Sequence, residues 1–411
     1  MIARIEAQRR VARLELPATR HERVRLDAAV GRVLATAPVS DLDLPPFDRV
    51  TMDGFAVRAA EVVVGTPQPV FGATAAGQLP PAAAPPRAAL RIMTGAPLPA
   101  WADAVIPLEE AQFADGVVSF ARAARAGQNI HPRASDLRAG AMPLPAGTRL
   151  TTAAIPLLAT LGCAEVVVGA APEVALVTTG SELVELDVRP TGAAIRDSNR
   201  HGLAAQVASA GARPRVRPIV RDEPAAIRRA LEEALAADVV LLTGGSSVGD
   251  FDFAHDVLAA LGAEVRFDAV AIKPGKPVIL ATLGRKVLFC LPGNPVSAFV
   301  TFELLVRPLL ERWAGAAACW PVAQWMTVVD ALVAPRERDL LQLARLDRDD
   351  SGELVARPIR WSGSGDLVAI ASAGALIQVE RGATLAAGAR ARVLQLRASA
   401  DALPRAPEPC L

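Results

Sequence analysis

The chain has 411 residues, more than one ordinary hydrophobic core accommodates, which points to about two to four domains. Hydrophobic residues make up 52% and charged residues 21%, a globular rather than a disordered composition. The formal net charge of +1 gives no field of one sign, which excludes general nucleic-acid binding while leaving room for local basic pockets.

The first 25 residues are charged throughout and lack the apolar centre of a secretory signal. The longest uncharged stretch, Val62 to Pro86, is interrupted by six prolines, so it does not read as a membrane helix. Cys163, Cys290, Cys319 and Cys410 are scattered without metal-ligand spacing and read as reduced thiols. A cytoplasmic protein is expected, with no membrane partner.

In chain order, residues 1–39 read as helix, with Ile5, Leu14, Val24 and Leu26 set among charges. From Phe55 to Leu144 the chain is rich in proline, glycine and short β-branched runs (Glu61–Val64, Val105–Pro107, Val117–Phe120), which predicts a small β-rich domain with long loops. Thr151–Leu161 is expected to be a helix that returns to the N-terminal helices, making the β-rich part an insertion.

From Val174 strands and helices alternate. Val174–Thr178, Arg215–Val220, Val239–Thr243 and Val287–Leu291 are the strand candidates. Arg200–Ala210, Glu223–Ala236, Phe253–Leu261 and Val296–Trp313 are the helices. Such alternation argues a mostly parallel sheet covered on both faces. Short Val/Leu/Ala runs with glycine turns over Met326–Leu396 read as a small all-β domain.

Ligands of open parallel sheets bind beyond the carboxyl ends of the strands. Three loops should meet there: Thr178-Thr-Gly-Ser-Glu182, Thr243-Gly-Gly-Ser-Ser-Val-Gly249 and Leu291-Pro-Gly-Asn-Pro295. Gly244 and Gly245 let backbone N–H groups approach an anion, and Ser246 and Ser247 add hydroxyls. The loop is neither a dinucleotide fingerprint nor a Walker loop, and on its own an ordinary turn is as good a reading. Glu182, Asp222, Asp250 and Asp252 gather at the same edge, either as helix caps, which suits Asp252, or as ligands of Mg²⁺. Only three of the 44 basic residues are lysines, and two of them share the pentapeptide Lys273-Pro-Gly-Lys-Pro277. Two ammonium groups on a proline-stiffened loop suit an oxyanion, the plain alternative being a solvated surface loop. The three asparagines, Asn129, Asn199 and Asn294, all fall in loop-like segments.

Thr243–Asp252, Lys273–Pro277 and Pro292–Ala298 resemble, in order and spacing, the molybdopterin molybdenumtransferase family. Met52-Asp-Gly-Phe-Ala56, Arg91-Ile-Met-Thr-Gly-Ala-Pro97, Gly127-Gln-Asn-Ile130 and Asp136 extend the resemblance over essentially the whole chain. It implies a multidomain α/β fold: a helical domain I (1–39 and 140–170), an inserted β-rich domain II (40–139), a three-layer α/β domain III (171–318) and a C-terminal β-barrel domain IV (319–411). It also implies a homodimer whose cleft is shared between domain III of one subunit and domain II of the other.

The implied reaction joins molybdate to adenylylated molybdopterin, giving molybdenum cofactor and AMP with Mg²⁺. By the resemblance, Asp53, Thr94, Asp136, Glu182, Asp222, Asp252, Lys273 and Lys276 carry the chemistry, with Glu182 and Asp252 as metal ligands. Gly244, Gly245, Ser246, Ser247, Pro292, Asn294, Pro295, Ser297, Arg345 and Ser364 contact the cofactor substrate. Transient contacts with a molybdopterin adenylyltransferase and with molybdoenzyme chaperones are the implied partners. Alternatives are a molybdopterin adenylyltransferase, a non-catalytic scaffold that binds molybdopterin, and tungstate in place of molybdate.

The chain departs from the family pattern at several points. Phe55 replaces a tyrosine, Ser181 an acidic residue and Ala134 a glycine. The usual Gly-Arg-x-x-Phe-x-Arg is reduced to Asp339–Arg345, its first arginine missing or shifted to Arg338, and Gly365 stands where a histidine is expected.

Overall fold

In the segment Val174–Thr178 every residue is buried, as a strand covered on both faces requires. The computed structural model describes residues 1–244 and 250–396, with backbone only for 250–253. The chain forms two compact units. One comprises residues 1–36, 146–151 and 165 onward, the other 37–145 and 152–164.

The larger unit is built on a six-stranded sheet in the order Arg213–Val216, Glu173–Thr178, Val239–Thr243, Lys286–Leu291, Pro277–Leu283, Glu264–Ala269. The first four strands run parallel and the last two are added antiparallel. Side chains alternate between two cores. Val174, Leu176, Val239, Leu241, Val287 and Phe289 pack with the Asn199–Ser209 and Pro295–Thr301 helices. Ala175, Val177, Val240, Leu242, Leu288 and Cys290 pack with the Pro224–Ala234 and Asp250–Ala260 helices. Pro224 opens its helix where a missing N–H costs nothing, and Ile227, Leu231 and Ala234 face the sheet at helical spacing. After Pro295–Thr301 the helix widens into a π-helical stretch, Phe302–Val306, before Arg307–Trp313.

The same unit carries a closed five-stranded barrel. Its strands are Asp339–Arg348, Leu354–Pro358, Ala323–Val328, Arg390–Gln395 and Ala375–Val379, closed by pairing of the first with the last. The short strand Ile272–Lys273 adds in parallel to Asp339–Leu340, tying the lysine loop to the barrel.

The N-terminus corrects the helical reading of residues 1–39. The α-helix is confined to Arg4–Ala12, a single 3₁₀ turn follows at Leu26–Ala28, and His21–Arg25 is a strand paired antiparallel with Glu165–Gly169. Its charged residues sit on a two-stranded ribbon whose partner lies far along the chain.

The smaller unit holds a second six-stranded sheet, ordered Ala104–Pro107, Gly54–Val57, Ala89–Ile92, Gln68–Thr74, Val117–Phe120, Ala111–Ala114. Phe55 and Val57 enter one core and Ala56 the other, the period-two pattern of a strand. Glu61–Val64, expected as a strand, instead ends a 3₁₀ turn at Ala59–Glu61. The Ala154–Thr160 helix belongs to this unit, not to the one containing the N-terminal helix. Among the described residues no helix is long and apolar enough to cross a membrane.

Candidate active site

Thr178, Thr243 and Leu291 lie in register across three parallel strands, so the three loops expected at the carboxyl edge do start side by side. Thr243 Oγ1 donates to Thr178 Oγ1 at 3.3 Å, and the N–H of Thr179 donates to the Thr243 carbonyl at 2.8 Å. Gly244 follows with φ +110°, and a Cβ there would lie 2.0 Å from the Thr179 carbonyl oxygen. Only glycine lets the two loops approach so closely. Gly245, Ser246 and Ser247 lie outside the described residues, as does the side chain of Asp252.

The first loop holds one carboxylate through a backbone N–H and carries another. The Asp222 carboxylate accepts the Ser181 N–H at 2.9 Å, and Glu182 follows directly; both acids are exposed. Among the described residues no group of three or more His, Cys, Asp or Glu side chains is placed to hold a metal ion.

The lysine loop and the Pro292–Ser297 loop open onto a cleft of about 570 Å³, closed on its other side by the barrel. Lys273, Lys276, Pro292, Asn294, Ser297 and Ser364 all line it. Gly275, between the lysines, has φ +97°, and a Cβ there would sit 2.5 Å from Thr301 Cγ2. The Asn199 side-chain amide donates to the Gly293 carbonyl at 2.6 Å and holds the second loop. Pro295 opens its helix, Ser297 is 5% exposed, and the Val296 N–H donates to the Ser364 carbonyl at 2.9 Å, joining helix start to barrel loop. Lys273 and Lys276 are exposed and take part in none of the ion pairs among the described residues. The third lysine is used differently: Lys286 Nζ donates to the Ala237 carbonyl at 2.7 Å.

Arg345 does not line this cleft. It is exposed on its strand, opposite Arg357. Arg338 does line it, unpaired among the described residues, so the barrel's cation in the cleft is the shifted arginine. Asp339 is engaged elsewhere, accepting Arg4 Nε at 3.1 Å and the Arg381 N–H at 3.2 Å. Gln342, Trp361 and Ser362 also line the cleft and were not singled out from sequence. The available signal was a lone amide in the apolar run Leu340–Ala344 and a tryptophan beside a Ser-Gly-Ser-Gly loop.

The smaller unit places its three residues in two places. Asp53 Oδ1 accepts both the N–H of Thr94, at 2.7 Å, and its hydroxyl, at 2.8 Å. These bonds, with Arg91 nearby, hold the Asp53 carboxyl below the usual carboxylate range. Gly54 is required by its neighbour: a Cβ would lie 2.1 Å from the Ile106 carbonyl oxygen. Phe55 is fully buried against Phe120 and Phe113, with ring centroids 6.0 and 5.6 Å away, so the ring without a hydroxyl sits among apolar partners. Asp136 Oδ1 is 2.8 Å from His131 Nε2. Ala134, two residues earlier, keeps φ +60°, the backbone conformation a glycine would take there. Asn129, at φ +54°, donates its amide to the Val105 carbonyl at 2.9 Å, a local role for a residue that tolerates this conformation.

Among the described residues Cys163, Cys290 and Cys319 form no disulfide. Burial in the sheet pushes the Cys290 thiol up to about 12, which leaves it inert.

Residues 2–162 match the MoeA N-terminal region (domain I and II), residues 175–312 the probable molybdopterin binding domain, and residues 329–396 the MoeA C-terminal region (domain IV). The chain is 36% identical over 386 residues to a molybdopterin molybdenumtransferase of a Nostoc species, covering 91% of this chain and 88% of the relative. It is 34% identical over 383 residues to one of Bacillus subtilis, covering 90% and 88%. A molybdopterin biosynthesis moeA protein from Pyrococcus horikoshii has the same fold, with TM-score 0.81 and 27% identity over 96% of this chain and all of that one. Matches along the whole chain, with the cleft between α/β sheet and barrel intact, show that the chain belongs to the molybdopterin molybdenumtransferase family, transferases of molybdenum-cofactor biosynthesis.

Proposed function

We propose that this protein inserts molybdate into adenylylated molybdopterin, releasing AMP and forming molybdenum cofactor. The observation that carries the reading is the cleft itself, where Lys273, Lys276 and Arg338, unpaired among the described residues, line the same space as Ser297 and Ser364. Three cations gathered on one cleft repel one another and favour an anion between them, and molybdate is a compact dianion. In this reading the lysines and Arg338 hold the oxyanion, and Ser297 and Ser364 offer it hydroxyl donors. Gly244 and the loop after it carry phosphate oxygens of the adenylylated substrate at the carboxyl edge. The same charges would stabilise negative charge developing on the departing phosphate.

Glu182 and Asp222 suit a hydrated divalent ion, since Mg²⁺ binds through one or two carboxylates and ligand phosphates while keeping several waters. Asp252 is assigned as the further metal ligand by the family resemblance. When bound, Mg²⁺ would neutralise phosphate charge. Asp53, Thr94 and Asp136 are assigned to the site across a homodimer, by the same resemblance. The four-domain division, action in the cytoplasm and brief contacts with an adenylyltransferase and with molybdoenzyme chaperones belong to this reading. The unpaired lysines favour catalysis over a scaffold role, because a scaffold in so arginine-biased a chain has no use for them.

The test is product analysis after purified protein is mixed with adenylylated molybdopterin and Mg²⁺. AMP and metal-loaded cofactor together, both requiring molybdate, are expected. Nucleotide bound without turnover would contradict the reading.

A further inference from the structure

Gln342 is a polar residue in a barrel strand where Leu340, Leu341, Leu343 and Ala344 are all buried, and it is itself only 6% exposed. A buried amide is costly unless satisfied. Two of its three hydrogen bonds reach one segment, Ile359–Trp361. Gln342 Nε2 donates to the Ile359 carbonyl at 2.6 Å and to the Leu343 carbonyl at 3.1 Å, while Oε1 accepts the Trp361 indole N–H at 3.3 Å. The backbone adds a further tie, Ile359 N–H to the Leu343 carbonyl at 2.8 Å. The indole is therefore held at its polar edge, and Trp361, half-buried against the core, lines the same cleft as Lys273 and Lys276. Among the described residues no cation stacks on it, whereas Arg58 lies over Trp101 at 5.3 Å.

We propose that Trp361 is the wall against which the flat ring system of the molybdopterin moiety packs, and that Gln342 is the positioning residue that fixes it. This rests on the function proposed above. Cations alone recognise any oxyanion of suitable size. A rigid aromatic face beside them selects a ligand that is both flat and anionic, because stacking rewards a conjugated ring and gives nothing to a free tetrahedral anion. The wall thus separates the cleft's two substrates: the pterin uses the indole and molybdate does not.

The experiment measures half-saturating concentrations of adenylylated molybdopterin and of molybdate separately, in single-turnover AMP release, for wild type, Trp361→Ala, Trp361→Phe and Gln342→Leu. Trp361→Ala should raise the value for the pterin substrate by about ten- to a hundredfold and leave that for molybdate within about twofold. Trp361→Phe should recover most of the difference, since the phenyl ring keeps a stacking face. Gln342→Leu should weaken pterin binding less than Trp361→Ala and alter the tryptophan emission. An unchanged pterin value in a folded Trp361→Ala protein, or equal losses for both substrates, would overturn the proposal. Equilibrium binding of free molybdopterin to wild type and Trp361→Ala reads the wall without turnover. If wild type releases no AMP but its pterin binding still depends on Trp361, the insertion reading fails and the wall stands.

Discussion

Asp53 and Thr94 are joined twice through a single oxygen, Oδ1 accepting from both the backbone N–H and the hydroxyl of Thr94. Both donors favour the charged carboxylate and hold its pKa low. The sign follows from linkage: a depressed native pKa keeps the carboxylate's contribution complete above the ordinary value, about 3.9, and loses it only as pH falls through the lower native value. Activity should therefore show no loss from Asp53 between pH 8 and pH 5. Thr94→Val, which removes one donor, should move the Asp53 titration upward in a carboxyl NMR experiment. An unmoved titration would show that the hydroxyl is not a determinant.

The lysine loop depends on Gly275. Adding a Cβ sets it 2.5 Å from Thr301 Cγ2 in a backbone region that side chains rarely occupy. Gly275→Ala should lower stability by about 1–3 kcal/mol and weaken molybdate use, read by denaturant melts and by turnover. Wild-type values in both would show that the loop accommodates the methyl group.

Ala134 sits at φ +60°, where an L-residue is strained and glycine is not. Ala134→Gly should raise the unfolding midpoint, by about 0.5–1 kcal/mol in stability, after the greater unfolded-state entropy of glycine is set against the relieved strain. A lower midpoint would mean that the loop holds alanine there without strain.

Arg338 immediately precedes the Asp339–Arg345 motif and Arg345 ends it, and the two lie in different surroundings. Arg338 lines the cleft and Arg345 is exposed opposite Arg357. Arg338→Ala should raise the molybdate requirement at least about tenfold, the scale of a charge-assisted hydrogen bond. Arg345→Ala should stay within about twofold of wild type. The reverse ranking would relocate the barrel's contribution to anion binding.

Strands buried on both faces were legible because they are short uninterrupted apolar runs, as Val239–Thr243 and Val287–Leu291 show. His21–Arg25 was not: four of its five residues are charged or histidine, and what makes it a strand is a partner at Glu165–Gly169. The antiparallel additions Glu264–Ala269 and Pro277–Leu283 were likewise hidden, since their pairing, with irregular register, is a tertiary fact. At the site, Lys273, Lys276, Ser297 and Ser364 were readable from spacing and resemblance, and they do share one cleft. Gln342 and Trp361 were not, because the hydrogen bond between them crosses from a strand to a loop. Arg345 was misleading for a related reason: strand alternation, not motif spacing, decides which side chains reach the cleft.

The central claim is that two lysines in this cleft present molybdate to the adenylylated substrate. The most direct measurement is the amplitude of single-turnover AMP release against molybdate concentration, for wild type and for the Lys273→Ala, Lys276→Ala double variant. A saturable, molybdate-dependent burst in wild type and none in a folded double variant is the result the account predicts. A burst of equal size and midpoint in both, or one that ignores molybdate altogether, would contradict it.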